Sequence, residues 1–250
     1  NKRKGIRFSA TVTQSDIDKI LTNMDTMDAL CKSAPQQSQN GADACYDMVK
    51  LIATGLSVSA SEISEIQLKK SNLSQSANSA VQEQVNSTYR TAELLFLIAK
   101  KLDKDNTYNN EIVLIESTFT LRNSTANSAP KQMVNGLYRT VEILEVIAKI
   151  ADKDKDYTSD IDQIMTRFST QDNLASSAPQ QEVNGAYRSV EMILLIAEIL
   201  DYDSDFSSEI STIDTRLTTQ NNLANSAPQQ NANGVYRMAE AFGLLAEVLN

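Results

Sequence analysis

A three-residue marker, Ser-Ala-Pro, recurs along this chain at nearly constant spacing, and everything else keeps register with it. It stands at Ser33-Ala34-Pro35, Ser128-Ala129-Pro130, Ser177-Ala178-Pro179 and Ser226-Ala227-Pro228, with Ser79-Ala80-Val81 in the second of five copies. The serines are 46 residues apart once and 49 apart three times. Seven residues after each serine stands an asparagine: Asn40, Asn86, Asn135, Asn184, Asn233. In the last four copies Tyr89-Arg90, Tyr138-Arg139, Tyr187-Arg188 and Tyr236-Arg237 follow, each with a glutamate three residues on (Glu93, Glu142, Glu191, Glu240). A fixed period of this length is the signature of a helical repeat.

Each copy reads as two helices. In the fourth, Ile161, Ile164, Met165 and Phe168 recur at steps of three and four, one face of an amphipathic helix that starts near Thr158. A second helix opens at the marker. Serine at the cap with glutamine three residues later is a capping-box pattern (Ser33/Gln36, Ser79/Gln82, Ser177/Gln180, Ser226/Gln229), and proline in the first turn removes no helical hydrogen bond. The second helix is apolar over more than half its girth and is expected to be the central one. The expected fold is therefore all-α: five tandem two-helix hairpins with a period of about 49 residues, stacked as an α-solenoid or an elongated helical rod. The boundaries read as a basic linker at 1–12, then repeats at 13–58, 59–107, 108–156, 157–205 and 206–250.

The net charge of -9 argues against nucleic acid and against an anionic membrane surface as partners. The longest uncharged apolar run, Leu94 to Ala99, is far short of the roughly 20 residues that span a bilayer. The chain contains no histidine and no phosphate-binding glycine loop, so a non-enzymatic role is expected.

Three groups of residues are candidates for chemistry or recognition. The acidic inter-repeat segments place oxygens at alternate positions, as the start of a calcium loop does: Asp103, Asp105 and Glu111; Asp152, Asp154, Asp156 and Asp160; Asp201, Asp203, Asp205 and Glu209. They depart from the calcium pattern at the sixth position, where Tyr108, Tyr157 and Phe206 replace glycine, and turn-forming and capping aspartates are the competing reading. The residues Asn86, Tyr89, Arg90, Asn135, Tyr138, Arg139, Asn184, Tyr187, Arg188, Asn233, Tyr236 and Arg237 form a candidate row of interface groups. The glycine before each of the last three tyrosines (Gly136, Gly185, Gly234) suggests a close helix approach instead. The Arg–Glu pairs read as surface pairs. Cys31 and Cys45 suit one disulfide only if the second helix starts late, because a helix from Ser33 puts Cys45 about 18 Å along it.

The apolar residues near the end of the last copy, Ala241, Phe242, Leu244 and Leu245, suggest an array that another copy covers. The leading functional expectation is a structural or cell-surface protein that self-assembles into a filament, lattice or matrix. The alternative is a monomeric scaffold for a protein or peptide, favoured by the varied residues at one register position (Phe96, Glu145, Leu194, Gly243). The partner is then self or another protein. The absent Met start and the candidate disulfide suggest a processed chain outside the cell.

Overall fold

The computed structural model describes residues 5–250, so the basic residues Lys2, Arg3 and Lys4 of the expected linker lie outside the described residues. It contains ten α-helices in five hairpins: α1 (Gln14–Asp28) with α2 (Ala34–Gly55), α3 (Ala60–Ser76) with α4 (Ala80–Leu102), α5 (Asn109–Thr125) with α6 (Ala129–Ala151), α7 (Thr158–Leu174) with α8 (Ala178–Leu200), and α9 (Ser207–Leu223) with α10 (Ala227–Leu249). The even-numbered helices carry most of the buried side chains and pack on one another in sequence. The odd-numbered helices lie outside, each against its own partner and more lightly against the preceding inner helix.

The expected stack of hairpins is present, and it closes on itself: α10 packs against α2 as extensively as α8 packs against α10, and α1 touches α10. The chain is a ring of five hairpins, which corrects the elongated rod. It also corrects the reading of the last copy as uncovered, since Ala241, Phe242, Leu244 and Leu245 are buried in the ring. Five equal joints closing a ring turn by about 72° each, and each has to be tight.

Four of the five joints are built alike. The tyrosine of each of the last four hairpins lies over the glycine of the next inner helix. A Cβ on Gly136 would stand 2.9 Å from Tyr89 Cδ1, one on Gly234 would stand 2.8 Å from Tyr187 Cδ1, and one on Gly41 would stand 2.8 Å from Tyr236 Cδ1. The last of these is the closing joint. The fifth joint, between the first and second hairpins, has neither partner: Asp43 replaces the tyrosine, Ser87 replaces the glycine, and the serine hydroxyl donates to the carboxylate.

The asparagine of the marker register completes the joint. Its Nδ2 donates to a carbonyl sixteen residues earlier on its own outer helix, from Asn40 to Met24, Asn86 to Lys70, Asn135 to Phe119, Asn184 to Phe168 and Asn233 to Leu217, at 2.8–3.1 Å. The same amide reaches the tyrosine hydroxyl of the preceding hairpin at Asn135–Tyr89, Asn233–Tyr187 and, across the closure, Asn40–Tyr236. The hydroxyl then donates onward to the next outer helix, from Tyr138 to Asp172, Tyr187 to Asn221 and Tyr236 to Asp28.

The helix starts differ from the expected capping box. Of the five marker serines only Ser79 accepts a side-chain cap bond, from the Gln82 amide. Gln36, Gln82, Gln180 and Gln229 instead accept the backbone N–H of the residue before the serine, at 2.6–2.7 Å. A reciprocal box forms elsewhere, between Thr13 and Asp16 at the start of α1.

The apolar residues in the described part of the expected linker pack against the ring, while Arg7, Ser9 and Thr11 between them stay exposed. Ile6 enters the ring axis and Val12 is buried. The Phe8 amide donates to Leu249 and the Ser9 and Ala10 amides to Gly55, which ties the last helix to the first hairpin. Arg7 Nη1 donates to the Val248 carbonyl at 2.7 Å, a cation at a helix C-terminus. Ile52, Ile98, Ile147, Ile196 and Leu245, one from each inner helix, surround an axial cavity of about 20 Å³, so this half of the axis is filled.

The closing joint is expected to bear load like the interior ones. Gly41→Val forces a branched side chain against Tyr236 and should lower stability by about 2 kcal/mol, as Gly234→Val does against Tyr187. Thermal or urea unfolding of the two variants checks this. In an open array Gly41→Val would cost little.

Candidate functional site

The candidate interface residues lie mainly inside the ring. Asn86, Asn135, Asn184, Tyr89, Tyr138, Tyr187, Arg90, Arg139 and Arg237 are buried, while Asn233, Tyr236 and Arg188 are half-buried. The asparagines and tyrosines are engaged in the joints. The arginines are not surface residues either. Arg90, Arg139, Arg188 and Arg237 hold Nε 2.7–2.9 Å from the glutamate three residues on. Burial holds Glu93, Glu142 and Glu240 above the ordinary carboxylate range against the pull of these arginines. The shared i, i+3 spacing gave no sign of burial.

Tyrosine and arginine form the floor of grooves between adjacent outer helices. Two of these grooves are built from the same ten register positions. One, of about 460 Å³, lies between the third and fourth hairpins over Tyr138 and Arg139; the other, of about 420 Å³, lies between the fourth and fifth over Tyr187 and Arg188. Both floors read Val-Asn-Tyr-Arg, from Val134, Asn135, Tyr138 and Arg139 or Val183, Asn184, Tyr187 and Arg188. The walls differ: Arg122, Thr125, Lys131 and Asp172 in the first become Gln171, Leu174, Gln180 and Asn221 in the second. The varied position noted in the sequence is not part of these walls. Phe96 packs on Phe119, Glu145 pairs with Lys149, Leu194 is buried and Gly243 faces Leu21 and Met48.

The first aspartate of each acidic turn is engaged by the backbone of its own turn. One oxygen each of Asp103, Asp152 and Asp201 accepts the backbone N–H five residues later, from Tyr108, Tyr157 and Phe206, at 2.9–3.1 Å. Asp201 also accepts the Asp205 amide, and Asp105 accepts that of Thr107. Asn106, Lys155 and Ser204 adopt positive φ between these aspartates and the next helix. Glu111 faces Lys149, 3.5 Å away. Asp156, Asp160, Asp203 and Glu209 lie exposed in or beside the turns, as does Asp154. Among the described residues no three carboxylates or thiols come close enough to hold a metal ion.

Cys31 and Cys45 are both free, which corrects the candidate disulfide. The helix does begin right after Ser33, so Cys45 lies three turns inside it, buried, with its thiol donating to the Val235 carbonyl. Burial pushes the Cys45 thiol far above its ordinary range, which makes it inert.

Sequence reasoning passed over one group. Five register-equivalent residues one turn into the inner helices, Ser38, Gln84, Met133, Glu182 and Asn231, form a largely polar layer at the end of the ring opposite Ile6. Asn231 Nδ2 lies 3.3 Å from Glu182 Oε2 and 3.5 Å from Ser38 Oγ. Ser38, Gln84, Met133 and Asn231 are buried, and Glu182 is half-buried. Burial pushes its carboxyl up to about 7. The signal was present in the sequence as one position, five residues after each marker serine, holding a polar residue in four of the five copies where the helix face is otherwise apolar.

Comparison with known protein families, with curated proteins and with solved structures returned no match.

Two outcomes are expected. Calcium and chelator should both leave the melting temperature unchanged, whereas Asp152→Ala should lower stability by about 1 kcal/mol through loss of the Tyr157 amide bond. Glu182 has a folded pKa raised above its ordinary 4.5, so the folded state holds its proton more tightly. Its contribution to stability is full below pH 4.5 and is lost as pH rises through about 7. Stability curves of Glu182→Gln and the parent protein should therefore diverge between those pH values, by at most about 3 kcal/mol, with the variant favoured at the alkaline end.

Proposed function

We propose that this protein is a non-enzymatic binding module, a closed ring of helical hairpins that receives an extended segment of a partner protein in the grooves between its outer helices. The observation that carries this reading is the pair of grooves made from the same ten positions, with a constant Asn-Tyr-Arg floor and walls that change charge and bulk. Constant floors serve the ring joints; varied walls serve discrimination. The groove over Tyr138 has Arg122 and Lys131 on its walls and one carboxylate, Asp172, already engaged by Tyr138 and Gln181. In a chain of net charge -9 this local excess of cations favours an acidic segment.

Self-assembly is the second reading, and one feature favours it. Outer helix α5 exposes Val113, Leu114 and Leu121 at 50%, 66% and 63% of their surface. The register equivalents of Leu114 and Leu121 are polar on the other outer helices of the 49-residue copies: Gln163 and Thr170 on α7, Thr212 and Thr219 on α9. This face would join rings side by side, as a lattice at a surface, not end to end as a filament.

Peptides selected from a displayed random library against the purified ring test the first reading. Acidic sequences should dominate, and Arg122→Gln with Lys131→Gln, which copies the walls of the neighbouring groove, should weaken their binding by about tenfold, or 1.4 kcal/mol. Binders indifferent to both substitutions would overturn it. Light scattering across a concentration series separates the second: a constant mass of 27.5 kDa removes self-assembly, and growth that Leu114→Glu abolishes supports it.

A further inference from the structure

The axial layer holds a carboxyl group with nothing to balance it. Glu182 is half-buried, and no cation contributes to its electrostatics; burial alone sets its ionisation. The neighbours from the other inner helices, Ser38, Gln84, Met133 and Asn231, are all neutral. Two atoms in this layer are buried and without a hydrogen-bond partner, the acceptor Asn231 Oδ1 and the donor Gln84 Nε2. Asn231 and Gln84 are 4% and 3% exposed, so bulk water does not serve them. Asn86, Asn135 and Asn184 in the ring joints also keep an unpartnered Oδ1, but none of these lies beside a carboxyl group without a counter-charge. An uncompensated buried charge beside orphaned polar atoms is costly unless something pairs with it.

We propose that this layer is a binding site for a primary ammonium group entering along the ring axis, with Glu182 as its counter-ion and Asn231 and Ser38 as its other acceptors. An ammonium group has three N–H donors and no acceptor. The layer offers a carboxylate, an amide oxygen and a hydroxyl oxygen on three consecutive inner helices, α8, α10 and α2, and the Asn231 amide already bridges the other two. The approach is through small residues: one turn nearer the opening the inner helices carry Ala34, Ala80, Ala129, Ala178 and Ala227. Glu182 is partly exposed while the other four members of the layer are buried, so the carboxyl is the part of the layer that solvent reaches. The inner-helix N-termini at this end favour anions, but that field is strongest in the first turn, and Glu182 is the fifth residue of its helix. Gln84, on α4 across the axis, is left to donate to an acceptor elsewhere on the ligand.

The experiment is a titration of the isotopically labelled ring at pH 8, where Glu182 is ionised, following the side-chain amide signals of Asn231 and Gln84. Methylammonium chloride should shift the Asn231 signal saturably, and tetramethylammonium chloride at the same ionic strength, which has no N–H, should not. Glu182→Gln should bind methylammonium at least tenfold more weakly. That variant preserves the ring, since glutamine already stands at this position as Gln84, and its unchanged backbone spectrum verifies it. No saturable shift, an equal shift with tetramethylammonium, or undiminished binding in Glu182→Gln would overturn the proposal. Nα-acetyl-lysine amide serves as a further probe: tighter binding than methylammonium assigns the ammonium to a protein side chain, and weaker binding assigns it to a free amine. This site is independent of the outer grooves, and wall substitutions at Arg122 and Lys131 should leave it unchanged.

Discussion

The ring depends on a tyrosine face lying against a glycine where no side chain fits. A glycine inside a helix costs about 1 kcal/mol relative to alanine, and four of the five inner helices accept that cost at the same register position. The return is close approach of neighbouring inner helices, which lets the tyrosine hydroxyl meet the next asparagine and the next outer helix. A bulkier residue there would splay the joint, and a small error repeated five times would leave the ring open. The joint between the first and second hairpins shows the constraint from the other side. Where Asp43 replaces tyrosine the glycine is no longer required, and Ser87 fills the space and bonds the carboxylate.

Closure changes what the rest of the chain has to do. An open solenoid needs polar end caps, whereas a closed one has no ends, so Phe242, Leu244 and Leu245 stay apolar without exposing a sticky face. The ring must fill its own axis instead. At one end it does so with isoleucine and leucine from all five inner helices and with Ile6, carried in by a strap whose amides and Arg7 tie the last helix to the first hairpin. At the other end four of the five axial residues are polar, and Glu182 holds its carboxyl group there without a counter-charge.

The hairpins were legible because five in-register copies average out the ambiguity of any single helix. Closure was not read, although its signs were in the sequence: Gly41 has no tyrosine before it, Tyr236 has no glycine after it, and Asp43 and Ser87 depart from the pattern together. These are statements about pairs of positions far apart, and a reading along the chain treats each departure as local. Other features were undecidable from spacing. An i, i+3 Arg–Glu pair looks the same on a surface as between helices, and an aspartate that accepts an amide five residues later looks the same as the first ligand of a calcium loop. Burial decided the first; in the second, the structure shows the first aspartate of each turn accepting a backbone N–H. The strap was misread for a different reason: Ile6, Phe8 and Val12 are apolar but too few and too interleaved with basic residues to announce a buried segment.

A closed ring also narrows how such a protein can meet others. The surface by which one hairpin recognises the next is heterologous, and a heterologous contact either propagates into a filament or closes. Here it has closed, and the surface is spent. In the proposed function, recognition falls to what the joint leaves outside: the groove walls, which vary over a fixed floor, and the apolar face of α5, which has no counterpart on α7 or α9. The same positions that repeat most faithfully are therefore those least available to a partner. The positions that vary, once they are sorted into buried ones such as Phe96 and exposed ones such as Arg122 and Leu174, are the ones through which this ring can be specific.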